Sequence, residues 1–291
     1  MTTVYPLEDM CLYGNAPALL TPNSIRKLGL VENREWGEAY RLNNYSYGAK
    51  VIKLLPGHMS SVHSHNRKQE VFLCLKGLVY MRIFDLDKET RDGFLRAGDA
   101  VYIPNRCKHQ FMALEDSVLI EGSTGHTEED TERYGTKSRE ASSHEVEDVT
   151  AKKKAGINRL DLLRHDTQHP KVWGGEDWLY QGRFWVKYLH LNEGAESSLH
   201  EHHGKDETFY VADGVAEIHA ESPQGIYRGS LTREQALVIP PRTVHIFRAV
   251  KNATIIEISS PHSEGDVFRH TESRLLTPDE VRMLNIRYRS K

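Results

Sequence analysis

The sequence lacks several features that would point to a secreted or membrane protein. Only three cysteines occur among the 291 residues, Cys11, Cys74 and Cys107, and their wide spacing excludes a disulfide framework. No apolar run approaches the roughly 18 residues that a transmembrane helix needs. The first ten residues carry Glu8 and Asp9 and have no apolar centre, so they do not resemble a signal peptide. These absences favour free thiols and a cytoplasmic location.

The chain also lacks an excess of either charge. Lys and Arg number 38 against 41 Asp and Glu, for a formal net charge of −3. A nucleic-acid or membrane partner would usually need a concentrated basic face, so neither is expected. Hydrophobic residues make up 38% of the chain, which is enough for a folded core. The length suits two ordinary domains.

Short β-branched or aromatic runs, separated by Gly, Pro, Asn or Asp, dominate two blocks of sequence, 36–124 and 173–260. Short strands at close spacing predict an all-β fold built of sandwiches or barrels. The charged stretch between the blocks indicates a linker with one solvated helix. We therefore expect an N-terminal domain over 1–135, a linker over 136–160 and a C-terminal domain over 161–291.

Two short helices are predicted to flank the domains. Thr21 followed by Pro22 has the pattern of an N-cap and a first helical residue, and Thr277 with Pro278 repeats it. In the second stretch Glu280 completes a capping box with Thr277. The two stretches are interpreted as matching helical flanks of two similar domains.

The two β-rich blocks are copies of each other. Matching residues differ by 137 in the first part of the block and by 136 in the last part, so a single one-residue deletion relates the halves. The pairs include Trp36 and Trp173, Lys50 and Lys187, Pro104 and Pro240, Arg106 and Arg242, Glu121 and Glu257, His126 and His262, and Asp130 and Asp266. Chance does not hold such a register, and we infer a duplicated domain.

The most informative repeated stretch carries histidines and a glutamate. In the first copy Gly57 is followed by His63, His65, Glu70 and Gly77. Side chains at positions i and i+2 of a strand lie on the same face, so the imidazoles of His63 and His65 project to the same side. A late histidine after a proline turn supplies a further ligand in each copy. The predicted metal ligands are His63, His65, Glu70 and His109 in the first copy, and His200, His202, Glu207 and His245 in the second.

A single His-x-His pair is more often a surface or hydrogen-bonded pair than a ligand set. Retention of all four residue types in both copies favours metal binding instead. The ligand set accepts Mn, Fe, Zn, Ni or Co, so the metal is left open. His203 adjoins His202 but points the opposite way along the strand, and it is not expected to be a ligand.

The pattern Gly-x5-His-x-His-x4-Glu-x6-Gly, followed by Pro and a late His, resembles the two cupin motifs. The resemblance covers about two-thirds of the chain. It implies a bicupin: two tandem jelly-roll β-barrels of the all-β class, each holding one divalent metal. The second motif departs from the family pattern, because Arg106, Arg242 and Glu234 stand where Gly is common and Ala113 and Ala249 replace a terminal Asn.

Four further residues are candidates for catalysis. Glu121 and Glu257 each leave an apolar strand, where a carboxylate needs a partner or a polar cavity. Each is either a general base or substrate contact at the metal pocket, or a structural partner of a nearby arginine. Lys50 and Lys187 on barrel strands would favour anionic intermediates if they pointed inward, although a strand lysine is more often on the solvated face.

Four residues are candidates for substrate binding, and two of them come from a difference between the copies. Glu217 and His219 replace Tyr80 and Arg82 in the second copy, which would give that copy more acid–base groups if this face is internal. We therefore expect catalysis in the second copy. The other two candidates are Arg106 and Arg242. The aromatic residues that alternate onto the ligand face, and that line either a pocket or the barrel core, are Phe72, Phe111, Phe209 and Phe247.

Fold alone does not select a reaction. The first hypothesis is aldose–ketose isomerisation of a sugar or sugar acid, in which the metal binds a carbonyl and a hydroxyl and a carboxylate moves the proton. The tail after each barrel, Glu then Ser or Thr then His and Asp, resembles cupin sugar isomerases. Alternatives are an iron-dependent quercetinase-type dioxygenase, an oxalate decarboxylase and a non-catalytic sugar-binding or storage bicupin. The implied partners are a small-molecule substrate and, as an option, a second copy in a homodimer.

Overall fold

A computed structural model describes residues 19–20, 30–44, 46–84, 90–125, 127–135, 137–222, 225–261 and 263–289. Cys11, His126, His262 and the predicted helix at Thr21 lie outside these ranges. The chain forms two compact units that divide between Arg164 and His165. The helices described are too short and too polar to cross a membrane.

Strands account for most of the first unit, while the short β1 (Leu19–Leu20), which precedes it in the chain, pairs with a strand of the second unit and belongs to that unit. The strands of the first unit are, in order, β2 (Leu30–Arg34), β3 (Gly37–Asn44), β4 (Gly48–Leu54), β5 (His58–Met59), β6 (His63–His65), β7 (Glu70–Lys76), β8 (Leu78–Phe84), β9 (Arg91–Arg96), β10 (Ala100–Ile103), β11 (Lys108–Ala113), β12 (Ser117–Ser123), β13 (Thr131–Arg133) and β14 (Arg139–Glu140). Helix α1 (Ser143–Lys154) ends this series.

The second unit repeats the arrangement. Its strands are β15 (Asp166–Lys171), β16 (Gly174–Gln181), β17 (Trp185–Leu191), β18 (Ala195–Glu196), β19 (His200–His202), β20 (Glu207–Ser222), β21 (Gly225–Thr232), β22 (Ala236–Ile239), β23 (Val244–Ser259), β24 (Val267–Arg269) and β25 (Arg274–Leu275). Helix α2 (Pro278–Arg289) follows.

Antiparallel pairing builds each unit into a two-layered barrel. In the first unit one sheet has the order β10-β7-β12-β4-β3-β2, and the other has β13-β6-β11-β5-β14 with β8 and β9 attached. Side chains from both sheets, among them Phe72, Leu119, Met81 and Phe111, meet in one buried cluster. In the second unit the long strands β20 and β23 run through both layers and join them into one sheet. The predicted all-β fold of two jelly-roll barrels is confirmed.

The two helices are copies of each other. At α1 the Ser142 hydroxyl accepts a hydrogen bond from the Glu145 backbone N–H, and the Glu145 carboxylate accepts one from the Ser142 N–H. Thr277 and Glu280 form the same box before α2, as the sequence predicts. Each glutamate also binds an arginine before its helix, Arg139 or Arg274, at 2.7 Å. The counterpart of the C-terminal helix therefore lies within the stretch 136–160, and α1 groups with the first unit.

Three side chains occupy the left-handed backbone region where the cupin pattern has glycine. Arg106, Glu234 and Arg242 have φ of 62°, 63° and 61°. For a residue with a Cβ this conformation costs about 1–2 kcal/mol. Each turn therefore holds a side-chain-bearing residue in a conformation that glycine adopts without this cost.

We expect these turns to distinguish glycine from a branched residue. Arg242→Gly should leave the free energy of unfolding unchanged or raise it by up to about 1 kcal/mol, since relief of the φ strain exceeds the loss of chain entropy. Arg242→Val should lower it by about 1–2 kcal/mol. Urea unfolding measures both, with Arg233→Val as the control, because Arg233 lies in the turn before β22 and does not have a positive φ. Equal losses for Gly and Val at position 242 would contradict the strain.

Candidate metal centre

Three histidines of the first barrel converge because β6 lies beside β11. His63 and His109 are direct Cα partners across the pair, and His65 projects from the same face of β6. The ring centroids of His63 lie 4.3 Å from His109 and 5.4 Å from His65. One ligand atom from each histidine lies within 4.8 Å of the others, and the group could hold a metal ion.

The local backbone fixes which ring nitrogen faces the centre. His63 Nδ1 lies 3.0 Å from the Ser61 carbonyl and His109 Nδ1 lies 3.1 Å from the Cys107 carbonyl. A carbonyl only accepts, so each Nδ1 carries the proton. Burial lowers the pKa of both histidines, which keeps the rings neutral. Each Nε2 therefore offers a lone pair, the form that a metal requires.

Glu70 at the start of β7 completes the group. Its Oε1 lies 3.4 Å from His65 Nε2, and its Oε2 lies 3.3 Å from His109 Nε2. His109 Nε2 is buried and makes no hydrogen bond. Two lone pairs that face each other in a dry site repel, and a cation between them would bind both. The donor set fits a first-row divalent metal.

The second barrel repeats the arrangement. His200 and His245 are Cα partners with ring centroids 4.3 Å apart. Their Nδ1 atoms face the carbonyls of Ser198 and Thr243, both at 2.9 Å. Burial lowers the pKa of His200 to about 3. His245 Nε2 and Glu207 Oε2 lie 3.3 Å apart, and neither makes a hydrogen bond. His202 lies beside them, with its Nε2 3.7 Å from Glu207 Oε1. The residue types of the first set recur, but among the described residues the group whose ligand atoms all lie within 4.8 Å of one another is the one in the first barrel.

A buried lysine lies next to the ligand glutamate in each barrel, and neither lysine was predicted from the sequence. Lys68 Nζ lies 2.6 Å from Glu70 Oε1 and 2.6 Å from Glu121 Oε1, with 1% of its side chain exposed. Burial opposes the charge, but Glu121 and Glu70 raise the pKa of Lys68 above its ordinary value. In the second barrel Lys205 bridges Glu207 and Glu257 at 2.6 and 2.7 Å. The recurrence of Lys68 and Lys205 in the shared register is the signal that could have found them.

The fold is similar to that of several solved structures, although sequence identity to them is low. Residues 50–126 match the family model described as "Cupin domain". Tomato vicilin superposes with a TM-score of 0.67 over 87% of both chains at 11% identity. Oxalate decarboxylase from Lactobacillus farciminis gives 0.60 over 84% and 87% of the chains at 13% identity, and that from Bacillus subtilis gives 0.55 over 99% and 83% at 12%. The chain has the two-barrel fold of a bicupin. No curated protein matches it in sequence.

The strand lysines of the bicupin point inward, against the more common exposed position. Lys50 Nζ lies 3.4 Å from Glu121 Oε2, and the two residues are direct partners between β4 and β12. Lys187 Nζ lies 3.8 Å from Glu257 Oε1 in the equivalent pair. Although burial opposes it, these lysines and the bridging ones lower the pKa of both glutamates to about 2. The alternative that arginines pair with the glutamates is wrong.

The tail motif holds the ligand loop of the bicupin in place. Asp130 accepts hydrogen bonds from the backbone N–H groups of Arg67 and Lys68, both at 2.9 Å. Asp266 binds the N–H groups of Gly204 and Lys205 in the same way. These contacts turn the loop so that its lysine enters the barrel. The aspartates of the tail thus have a structural role, and this weakens the tail as a sign of sugar isomerases.

Glu217 and His219 lie outside the metal pocket, and their prediction as substrate contacts there is wrong. Along β20, Phe209 and Val211 point into the core, but after irregular pairing around Gly214 the inward residues are Ala216, Ile218 and Ala220. The bulge reverses the alternation, so Glu217 and His219 face outward and line a groove beside α2.

The prediction that Arg106 and Arg242 bind substrate at the metal pocket is also wrong. Both side chains are exposed, and neither lines the cavity at its barrel's metal centre. Their backbone N–H groups instead donate 2.6 Å hydrogen bonds to the carbonyls of His65 and His202. They anchor the turn before the late histidine. His203 stacks on Phe268 at 3.9 Å, away from the ligands, as predicted.

Each metal centre opens into a cavity inside its barrel. The first has a volume of about 420 Å³ and the second about 190 Å³. Phe72 and Phe111 line the first, and Phe209 and Phe247 line the second, while all four also pack in the cores. Charged and apolar residues both line the first cavity, and the charged ones are numerous. They are Glu32, Arg34, Glu35, Lys50, Lys68, Glu70, Glu121, Arg133 and Lys137.

Proposed function

We propose that this bicupin is a metal-dependent enzyme that isomerises a small, polar, anionic hydroxy-carbonyl compound, such as a sugar acid, by proton transfer. The observation that carries the proposal is the meeting of three inward Nε2 atoms and Glu70 with the buried pair of Lys50 and Glu121. The ligand set supports one divalent metal per barrel, of the group Mn, Fe, Zn, Ni and Co.

A divalent metal at His63, His65, Glu70 and His109 would polarise a substrate carbonyl and acidify the neighbouring C–H. Glu121 is ionised and faces the same cavity, which is the protonation state that proton abstraction requires. Its pKa of about 2 makes it a weak base while both lysines hold it. Once Lys50 pairs with the substrate anion, Glu121 retains Lys68 alone and its basicity rises.

Lys50 has the complementary role. Its ammonium lies at the cavity wall, where it stabilises the negative charge that develops on the substrate oxygen. Lys68 is a positioning residue, since its contacts are with Glu70 and Glu121. Arg34, Arg133 and Lys137 also line the cavity, together with the acidic Glu32 and Glu35, so its outer part has a slight excess of positive charge.

The inward ammonium of Lys50 also supports a second reaction, decarboxylation of a small carboxylate. The oxalate decarboxylase from Lactobacillus farciminis was solved as a formate complex, and it shares this fold. The buried ammonium of Lys50 would hold a carboxylate in either reaction. A flavonoid dioxygenase would need a predominantly aromatic pocket, and the charged lining of the first cavity does not favour one.

Metal-loaded protein tested against aldoses, ketoses and sugar acids distinguishes the reactions. We expect isomerisation without oxygen uptake, and a loss of about 100-fold or more in kcat for Glu121→Gln with unchanged metal content. Glu115→Gln, on an exposed turn before the same strand, is the matched control. Oxygen uptake with a flavonoid or diketone, carbon dioxide release from a small dicarboxylate, or metal loading without any turnover would each replace the proposal with one alternative.

A further inference from the structure

The two barrels differ in charge at a position beside the strand lysine. Ala39 on β3 and Glu176 on β16 are equivalent, since both stand three residues after the matching Trp36 and Trp173. Ala39 is buried and lines the first cavity beside Lys50. Glu176 lines the second cavity beside Lys187. A methyl group in one barrel is thus replaced by a carboxylate in the other.

Glu176 is held across the second cavity by three contacts. Its Oε2 accepts a 2.7 Å hydrogen bond from Trp178 Nε1 and lies 3.6 Å from Lys187 Nζ. Its Oε1 lies 3.5 Å from Lys171 Nζ. Lys187 is thereby placed between Glu176 and Glu257, and its ammonium also lies 5.0 Å from the ring of Trp185. The ammonium of Lys187, which would otherwise bind a substrate anion, thus already has a carboxylate on each side.

The first barrel leaves that cation available. The ion pair that the structure gives Lys50 is with Glu121, and the side of Ala39 offers no charge. The inner groups of the first cavity are two lysines and two glutamates, whereas in the second Glu176 and its partner Lys171 add a further ion pair that occupies the space beside Lys187. The second cavity is also the smaller one, with about 190 Å³ against about 420 Å³ for the first, so it leaves less room for a substrate.

We infer that the bicupin binds its substrate in the first barrel alone, and that Glu176 closes the second barrel as a metal-holding site without substrate access. This inference rests on the proposed function for the identity of the substrate. It reverses the expectation that the second copy is the catalytic one, which depended on Glu217 and His219. Position 39 or 176 is then the specificity-determining residue of each barrel.

The test uses cobalt-loaded protein and glycolate, a small hydroxy acid, as the probe. Glycolate that reaches a Co²⁺ ion changes its visible spectrum, and titration counts the ions that respond. We expect one responsive ion per chain in the unaltered protein and two in Glu176→Ala. We expect none in Ala39→Glu, and one again in the double variant. Metal analysis should give the same cobalt content in all four.

Controls separate this outcome from misfolding and from a wrong reaction. Glu176→Gln keeps the side-chain volume without the charge and should open the second barrel less than alanine does, while Glu193→Ala on an exposed turn should change nothing. Two responsive ions in the unaltered protein, or none, overturn the inference. One responsive ion without any isomerase turnover leaves it standing and overturns the proposed function instead.

Discussion

Replacing Lys68 with methionine is expected to lower the free energy of unfolding of the metal-free protein by about 3–5 kcal/mol. Methionine fills similar space, so the loss comes from charge. Glu70 and Glu121 are both nearly fully buried, and each accepts a 2.6 Å contact from the Lys68 ammonium. Without the Lys68 ammonium, two carboxylates remain buried in the barrel, and the remaining cation, Lys50, contacts only one of them, Glu121.

Acid distinguishes this electrostatic loss from poor packing. In the unaltered protein Glu121 has a folded pKa of about 2, below its ordinary value of 4.5, so its stabilisation is present above that value and is lost as the pH falls toward 2. In Lys68→Met the unpaired carboxylates acquire raised pKa values, and their penalty disappears as they become protonated. The difference in stability between the two proteins should therefore shrink from pH 7 to pH 4.

Urea unfolding of EDTA-treated protein measures both effects. Lys205→Met should give a matching loss, because Lys205 bridges Glu207 and Glu257 in the same way. Lys76→Met, at the exposed end of the strand that Glu70 begins, is the control and should stay within about 0.5 kcal/mol. A loss at Lys68 that is small, or that is the same at pH 4 and pH 7, would show that the lysine does not hold the two carboxylates.

The metal ligands were predictable because they obey two simple periodicities. Alternation along a strand pairs His63 with His65, and the constant offset between copies identifies the equivalent residues of the second barrel. Lys68 escaped because it lies in a loop, where alternation assigns no face. Its direction depends on Asp130, a residue 62 positions away that binds the backbone of the loop.

Alternation also misled where the chain departs from it. The prediction for Glu217 assumes that its face of the strand is internal, but the bulge around Gly214 reverses the alternation and turns Glu217 outward. The inward position of Lys50 was not predictable for a different reason. A strand lysine is usually exposed unless a carboxylate on the neighbouring strand pairs with it. The pairing of Glu121 with Lys50 is a long-range contact between β12 and β4, and no local pattern reports it.

Loss of a late histidine should remove the metal from its own barrel alone. His109→Gln and His245→Gln should each reduce the metal content by one ion per chain, and the double variant should bind none. The buried Nε2 of each residue is the lone pair that makes no hydrogen bond within the described structure. Removing one of four ligands should weaken affinity beyond the 10–100-fold that loss of an outer contact costs.

Stability gives an independent readout of the same sites. A ligand present at 1,000 times its Kd stabilises the folded state by about 4 kcal/mol, so EDTA should lower the Tm of the unaltered protein and leave the double variant unchanged. His203→Ala is the matched control, because His203 adjoins His202 yet stacks on Phe268 outside the barrel. Retention of full metal content in either single variant would show that the convergent histidines are a hydrogen-bonded cluster. The barrels would then be scaffolds without metal, and the ionic chain of Lys68 would be their main polar support.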